Sequence, residues 1–363
     1  MLREDYETKF TTLNQPFEVG IPNKNGRLRL REIDVKSLKT DQLYPHRQVI
    51  RFNSTFVEAM DSWEFIRGRA TALALPMWAA LFFAISMFLF AIYSLYFKQV
   101  YWSIAIISCL TIGLVYLVYS NYKIAKYDLF GYTHYPIRFN RKTQKVYAFS
   151  PQQQKIIELN WRDLRFSAVR EGRYDIELRA SLVNEDNIVE EEIILPYISF
   201  DNNDFIDQNL AFFKAYMQGD DLKSIDAAIP EFFDIYNRKE TFKESFERVY
   251  MSNDVLNELA MQTRPAKKDI SGVSMMAVIW SLTILVRRLG IFFSKIPQWP
   301  THIEQECQID SNDPYDSTGK QRHLAPLVFT STEKIILFLG CLVGTIIFIA
   351  FLAGLAYLSW NYR

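Results

Sequence analysis

His302, Glu304, Glu306 and Cys307 place an imidazole, two carboxylates and a thiol within six residues. That set could in principle ligate zinc or serve an acid–base-assisted nucleophile. The spacing argues against both. Five residues turn a helix through about 500°, so His302 and Cys307 would point roughly 140° apart. In a strand, an odd spacing sends them to opposite faces. His302 and Glu306 are four apart and could share a helical face, as zinc ligands do. Two ligands do not make a site, and no second pair follows at matching spacing. A solvated polar turn without metal is expected here.

The stretch that follows offers two weaker motifs. Asp310, Asn312, Asp313 and Asp316 resemble a calcium loop, but Pro314 occupies a ligand position and Tyr315 stands where the loop needs glycine. Ser317-Thr318-Gly319-Lys320 lacks the upstream glycine and spacing of a phosphate loop. His46, His134 and His323 lie among polar or aromatic residues without a nucleophile signature. A triad is defined by geometry rather than sequence order, and nothing in the chain points to one. No catalytic residue, cofactor or metal ion is expected, and the chain does not read as an enzyme. The one concrete enzymatic alternative would use His302, Glu306 and Cys307.

Those residues must be carried by elements, and composition bounds what the elements are. A chain of 363 residues accommodates one or two domains plus membrane helices. Lys and Arg number 41 and Asp and Glu number 41, a balance that argues against a nucleic-acid partner. The three cysteines, Cys109, Cys307 and Cys341, give no disulfide framework and suit a reducing compartment. Met-Leu-Arg-Glu-Asp at the N-terminus lacks the apolar core of a cleaved signal peptide.

The expected fold class is an α+β membrane protein, with an N-terminal transmembrane helical hairpin, a cytoplasmic antiparallel β-module plus helices, and a C-terminal transmembrane helix. Ala72 to Phe97 is almost continuously apolar, Lys98-Gln99 breaks the run, and Val100 to Tyr119 resumes it. Each run is long enough to cross ~30 Å of hydrocarbon, and so short a break implies an antiparallel hairpin over 72–119. Arg67, Arg69, Lys123 and Lys126 flank the hairpin against Lys98 alone at its tip, which places both ends in the cytoplasm. A third span is expected over 335–358, where Gly340 and Gly344 would let another helix approach, from the chain's own hairpin or from a second copy. The run 272–294 reads as an amphipathic interfacial helix, because its apolar part ends at Arg287-Arg288 after ~22 Å. Arg287, Arg288 and Lys295 would then touch anionic lipid. The two hairpin spans and the last span hold no ionisable residue, which argues against a pump or transporter.

Between these runs, 1–66 reads as an N-terminal cytoplasmic segment, with a helix capped by Asn53 or Ser54 through Phe56 and Trp63. Residues 120–220 read as a β-rich module. Tyr135–Phe139 and Lys145–Phe149 flank the polar Asn140–Gln144 as a hairpin, and further strands are expected at Lys155–Leu159, Leu164–Val169, Tyr174–Ala180 and Glu190–Leu195. A helix around Phe205–Met217 closes the module, an order that resembles pleckstrin-homology-like folds. Residues 221–270 read as a helical region from Pro230, and 295–333 as a polar loop.

The words Tyr135-Pro-Ile-Arg-Phe-Asn-Arg141 with Lys145-Val-Tyr147, Trp161, Phe213-Lys-Ala-Tyr-Met217 and Lys295-Ile-Pro-Gln-Trp-Pro300 follow the hairpin. In this order they resemble an uncharacterised family of proteobacterial multi-pass inner-membrane proteins associated with type VI secretion and toxin–immunity loci. The resemblance covers roughly residues 50–310 and supplies no catalytic residues. It implies a bacterial inner-membrane location, with most of the soluble part cytoplasmic. It also implies a non-enzymatic immunity or accessory role, exercised by protein–protein interaction with a secreted toxin or secretion component. The alternative is a membrane-anchored sensor or scaffold that binds a cytoplasmic protein or anionic lipid. Homo-oligomerisation is a further partner class.

Overall fold

The strands form where apolar residues alternate, or run unbroken, between turn residues. The computed structural model describes residues 13–23, 26–39, 42–45, 48–61, 67–68, 129–150, 155–170, 175–200, 203–245, 248 and 283–320, with scattered residues of 85–119 and 335–357. The chain divides into two units, one of 1–65, 134–238 and 296–326, the other of 66–133, 239–295 and 327–363.

The first unit carries two antiparallel sheets. Five strands pair in the order β2 (Val49–Phe52), β3 (Phe56–Met60), β4 (Pro136–Asn140), β5 (Lys145–Ser150), β6 (Lys155–Asn160). Four pair in the order β1 (Leu28–Ile33), β7 (Leu164–Arg170), β8 (Asp175–Val183), β9 (Val189–Phe200). The β4–β5 turn is built as its polar residues demand. Asn140 Oδ1 accepts from Lys142 N (2.9 Å) and Thr143 N (3.1 Å), and Gln144 takes the left-handed conformation at φ 58°. Asn53 acts similarly. Its Oδ1 accepts from Thr55 N (2.9 Å) and Phe56 N (2.7 Å), turning β2 into β3. The helix expected over 53–63 is therefore replaced by strand β3, because β-branched and aromatic alternation pairs Phe56 to Met60 with β4 in register.

One core fills the space between the sheets. Val57, Ala59, Ile137, Phe139, Val146 and Ala148 face Phe166, Ala168, Leu178 and Ala180 across it. Helix α1 (Asn203–Gln218) lays Ile206, Leu210, Phe213 and Met217, spaced at helical period, into the same core. Phe213 stacks on Phe139 at 4.2 Å. The helix ends where Gly219 N–H donates to Ala215 O at 2.7 Å; a Cβ there would sit 2.5 Å from that oxygen, so only glycine fits. Helix α2 (Leu222–Ala227) follows, capped by the Asp221 carboxylate.

The membrane architecture expected from the hydropathy runs is corrected here. The described chain is a two-sheet antiparallel β fold with few helices, and among the described residues no helix is long and apolar enough to cross a membrane. The expectation of membrane spans rested on hydropathy, which equates long apolar runs with spans. In the described part of the first unit, apolar residues fill an inter-sheet core. Most of the expected hairpin at 72–119, residues 272–282 of the expected interfacial helix, 321–333 of the expected polar loop and most of 335–358 lie outside the described residues. A second correction concerns the start of the helical region expected over 221–270, of which 246–247 and 249–270 lie outside the described residues. Residues 229–240 are irregular, because Phe233 N–H donates to Val49 O (2.9 Å) while Phe232 and Ile235 turn inward.

Candidate functional site

Strands β3, β4 and β5 are buried on both faces, which an antiparallel sheet with one wet face would not show. One face meets the core. Across the other runs residues 296–320, a strap that contains helix α3 (Thr301–Glu306). Ile303 and Cys307 pack on Phe56 and Tyr147, and Trp299 meets the rings of Tyr147 (6.4 Å) and Phe149 (4.7 Å).

The residues first considered for chemistry are what tie this strap down. Glu306 accepts from Lys145 Nζ (2.9 Å) and Tyr147 Oη (2.6 Å). The Tyr147 and Lys145 hydrogen bonds hold the Glu306 carboxyl below its ordinary range. Hydrogen bonding to Glu306 raises Lys145. Burial, helped by the Glu306 carboxylate, pushes the Tyr147 phenol well up. His302 Nε2 lies 2.7 Å from Glu158 Oε1. Cys307 is buried, burial raises its thiol pKa, and Asn140 Nδ2 donates to its sulfur at 3.4 Å. Burial of this kind makes a thiol inert. The calcium-like set is dispersed. Asp310 pairs with Lys142 (2.7 Å), while Asp313 accepts from Ser54 N (2.6 Å) and Tyr315 N (2.9 Å). Among the described residues no three His, Cys, Asp or Glu side chains could share a metal ion. Ser317 of the phosphate-loop-like word instead extends β2: its N–H donates to Phe52 O (2.9 Å) and its Oγ accepts from Phe52 N (2.8 Å).

Where the strap begins it leaves a cleft of about 270 Å³, lined among others by Arg51, Glu58, Arg138, Tyr236, Trp299 and Glu304. Arg138 and Glu58 are a directly opposed pair on β4 and β3. The guanidinium meets Glu58 Oε2 through Nη2 at 2.7 Å and Nε at 2.8 Å, and Glu304 Oε1 at 3.4 Å. It lies 4.3 Å from the Phe56 ring centroid and 4.7 Å from that of Trp299, within cation–π range. Trp299 Nε1 donates to Glu58 Oε2 at 3.1 Å. The Glu58 and Glu304 charges hold the Arg138 pKa up against the opposing effect of burial. Arg51 lies 5.1 Å from the Phe56 ring and 4.8 Å from the Tyr236 ring, and reaches Thr318 Oγ1 at 3.3 Å. The Arg138 guanidinium also stands within hydrogen-bonding reach of the Cys307 sulfur.

The four-stranded sheet carries a separate web of buried charge. Glu192 binds Arg179 (2.7 Å), Arg29 (3.3 Å) and the Ser181 hydroxyl (3.0 Å), and Arg179 also binds Glu177 (2.6 Å). Each of these polar groups is satisfied by another, so the web reads as structure.

His134 is buried in the first unit, His46 and His323 lie outside the described residues, and the residues expected at lipid and at a helix contact fall in the second unit. Arg287, expected at a lipid surface, is buried at 3% exposure and clamps Glu240 through Nε (2.6 Å) and Nη2 (2.9 Å). Arg288 donates to the Glu240 carbonyl oxygen. Arg287 is thus committed inside the protein, away from its expected lipid contact, while Arg288 is half-buried. Lys295 is exposed, and its backbone pairs with Gly131 and Thr133. Gly340 and Gly344 are helical and buried.

Sequence reading missed Glu58, Arg51 and Arg138 as a group. Arg138 and Trp299 stood within the family-like words, and a charged residue alternating with apolar ones inside a strand was the available signal. No curated protein and no solved structure matches the chain. The profile of one family matches residues 114–311, a stretch that contains β4 to β9, α1 and α3. That match spans more than half of the sequence, and the protein therefore belongs to the Family of unknown function (DUF6708).

Proposed function

We propose that this protein works by recognition rather than by catalysis, and that the cleft beside Arg138 holds what it recognises. The observation that supports this reading is the state of Arg138. A guanidinium buried to 1% exposure is fixed by Glu58 and flanked by two aromatic rings. Rigid polar groups in an aromatic cleft are what a binding site uses to orient a ligand. The groups that could have served chemistry, His302, Glu306 and Cys307, are instead spent on holding the strap. An immunity or accessory role beside a secreted toxin, which the resemblance implies, belongs to this same class of reading: it needs a recognition surface and no catalytic centre.

The test is hydrogen–deuterium exchange of the full chain with and without a low-molecular-weight extract of the native cell. Protection confined to 51–58 and 296–304, and lost in Arg51→Gln, is expected. Protection elsewhere, or none, rejects the cleft as the recognition site.

A further inference from the structure

We infer that the outer edge of β6 is a docking site for an extended segment of a partner protein, which adds to the five-stranded sheet as a further strand and alternates apolar with basic residues. A strand at a sheet edge presents unpaired N–H and C=O groups, and proteins blunt such edges unless they use them. The two sheets end on β2, β6, β1 and β9, and all but β6 are blunted. At β2, Phe233 N–H donates to Val49 O (2.9 Å), and Ser317 meets both backbone groups of Phe52. At β1, Gly20 N–H donates to Arg29 O at 2.8 Å. At the start of β9, Val189 bonds Asn14 (2.9 Å) and Gln15 (3.0 Å). Further along, β9 is irregular in its register with β8 and carries Pro196.

Strand β6 has none of these devices. Its register with β5 is unbroken from Lys155 to Asn160, and it holds no proline. Among the described residues nothing but β5 hydrogen-bonds to its backbone. Lys155, Glu158 and Asn160 are exposed along it. The side chains define what fits beside it. Ile157 and Leu159 belong to the inter-sheet core, so a strand laid along β6 continues that layer with apolar residues. Lys155, at the strand's end, is held by Glu191 at 2.8 Å. On the other face Glu158 is the exposed charge. Its contact with His302 joins side chains 39% and 56% exposed, a surface pair that yields readily. A lysine or arginine across from Glu158 completes a cross-strand pair. A second copy of β6 does not. With Ile157 or Glu158 on the two-fold axis, the two Glu158 carboxylates stand diagonal to or opposite each other, and like charges so placed repel. This edge lies at the far end of the sheet from β2 and Arg51, so it stands or falls independently of the cleft.

The experiment selects binders of the immobilised full chain from a displayed library of random linear peptides, then follows hydrogen–deuterium exchange of the chain with the best of them. Peptides that alternate apolar with basic residues, and that slow exchange within 155–160, are the expected result. Only one edge of an added strand faces β6. N-methylation of alternate amides on that edge should therefore abolish binding, while methylation of the other set is tolerated. Glu158→Lys, a change at an exposed position, should weaken the peptide about fivefold and turn a repeated selection towards acidic residues. Protection of 155–160 that appears without peptide and grows with protein concentration would give the edge to a second copy and overturn the partner. The inference is also overturned if no peptide protects 155–160, if both methylation sets are tolerated, or if Glu158→Lys changes neither affinity nor selection.

Discussion

Glu58 and Arg138 face each other across β3 and β4, joined at 2.7 and 2.8 Å, in a place where neither side chain meets water. A buried ion pair is weak evidence for stability, since desolvation offsets its attraction, but breaking it strands a charge. Arg138→Met or Glu58→Leu alone should destabilise the five-stranded sheet by about 3–5 kcal/mol. The double variant should lose less than either, because no buried charge is left. Hydrogen exchange of β3 to β5 measures this. A double variant as damaged as the sum of the two would show that the pair is not the unit.

Tyr147→Phe removes the phenol that binds Glu306 at 2.6 Å. A hydrogen bond to a charged acceptor contributes roughly 1.5–3 kcal/mol, and the partial exposure of Lys145 and Glu306 brings the expected loss to about 1 kcal/mol. The loss should appear as faster exchange in 301–310 and leave α1 unchanged.

The strap should also loosen in acid. Glu306 titrates below its ordinary value because Tyr147 and Lys145 donate to it. Asp313 does so because, against the cost of burial, Ser54 donates to it. A carboxyl whose folded pKa is depressed adds stability that is complete above its unfolded pKa, ~3.9 for Asp and ~4.3 for Glu, and is lost as pH falls through the folded one. Lys145, raised by the same contact, gives the opposite edge, lost only as pH rises past its ordinary ~10.4. Proteolysis within 308–320 should therefore stay flat between about pH 5 and 9 and rise below about pH 4.

Glu192→Gln should be among the most damaging single changes in the four-stranded sheet. It removes one of the two carboxylates, Glu192 and Glu177, that balance Arg29 and Arg179, and burial already pulls the Arg29 pKa down. The expected cost is about 3–5 kcal/mol. Exchange protection of β7 to β9 is the readout, and Glu192→Asp should restore part of it.

Much of the β architecture was legible because local signals agreed with it. The β4–β5 hairpin lies where Asn140 to Gln144 marked a turn, and α1 occupies the expected helical stretch. Asn53 misled, since a side chain that caps helices also caps tight turns, and the pairing partner of Phe56–Met60 lies some eighty residues away. The apolar runs misled further: hydropathy weighs residues without knowing their neighbours, and Arg287 looked like a membrane-facing charge until Glu240, 47 residues distant, supplied its partner. The cleft was illegible for the same reason. Arg51, Arg138, Tyr236 and Trp299 come from four separate stretches, and no local pattern links them.

The strap has a consequence in time. The five-stranded sheet is complete once Asn160 is made, yet the residues that cover Phe56 and Tyr147 end near Lys320. Synthesis at ~5–20 residues per second leaves that face bare for roughly 10–30 s. During translation the nascent chain therefore presents an aromatic surface that the finished protein hides, and a chaperone that shields it should be most needed in that interval.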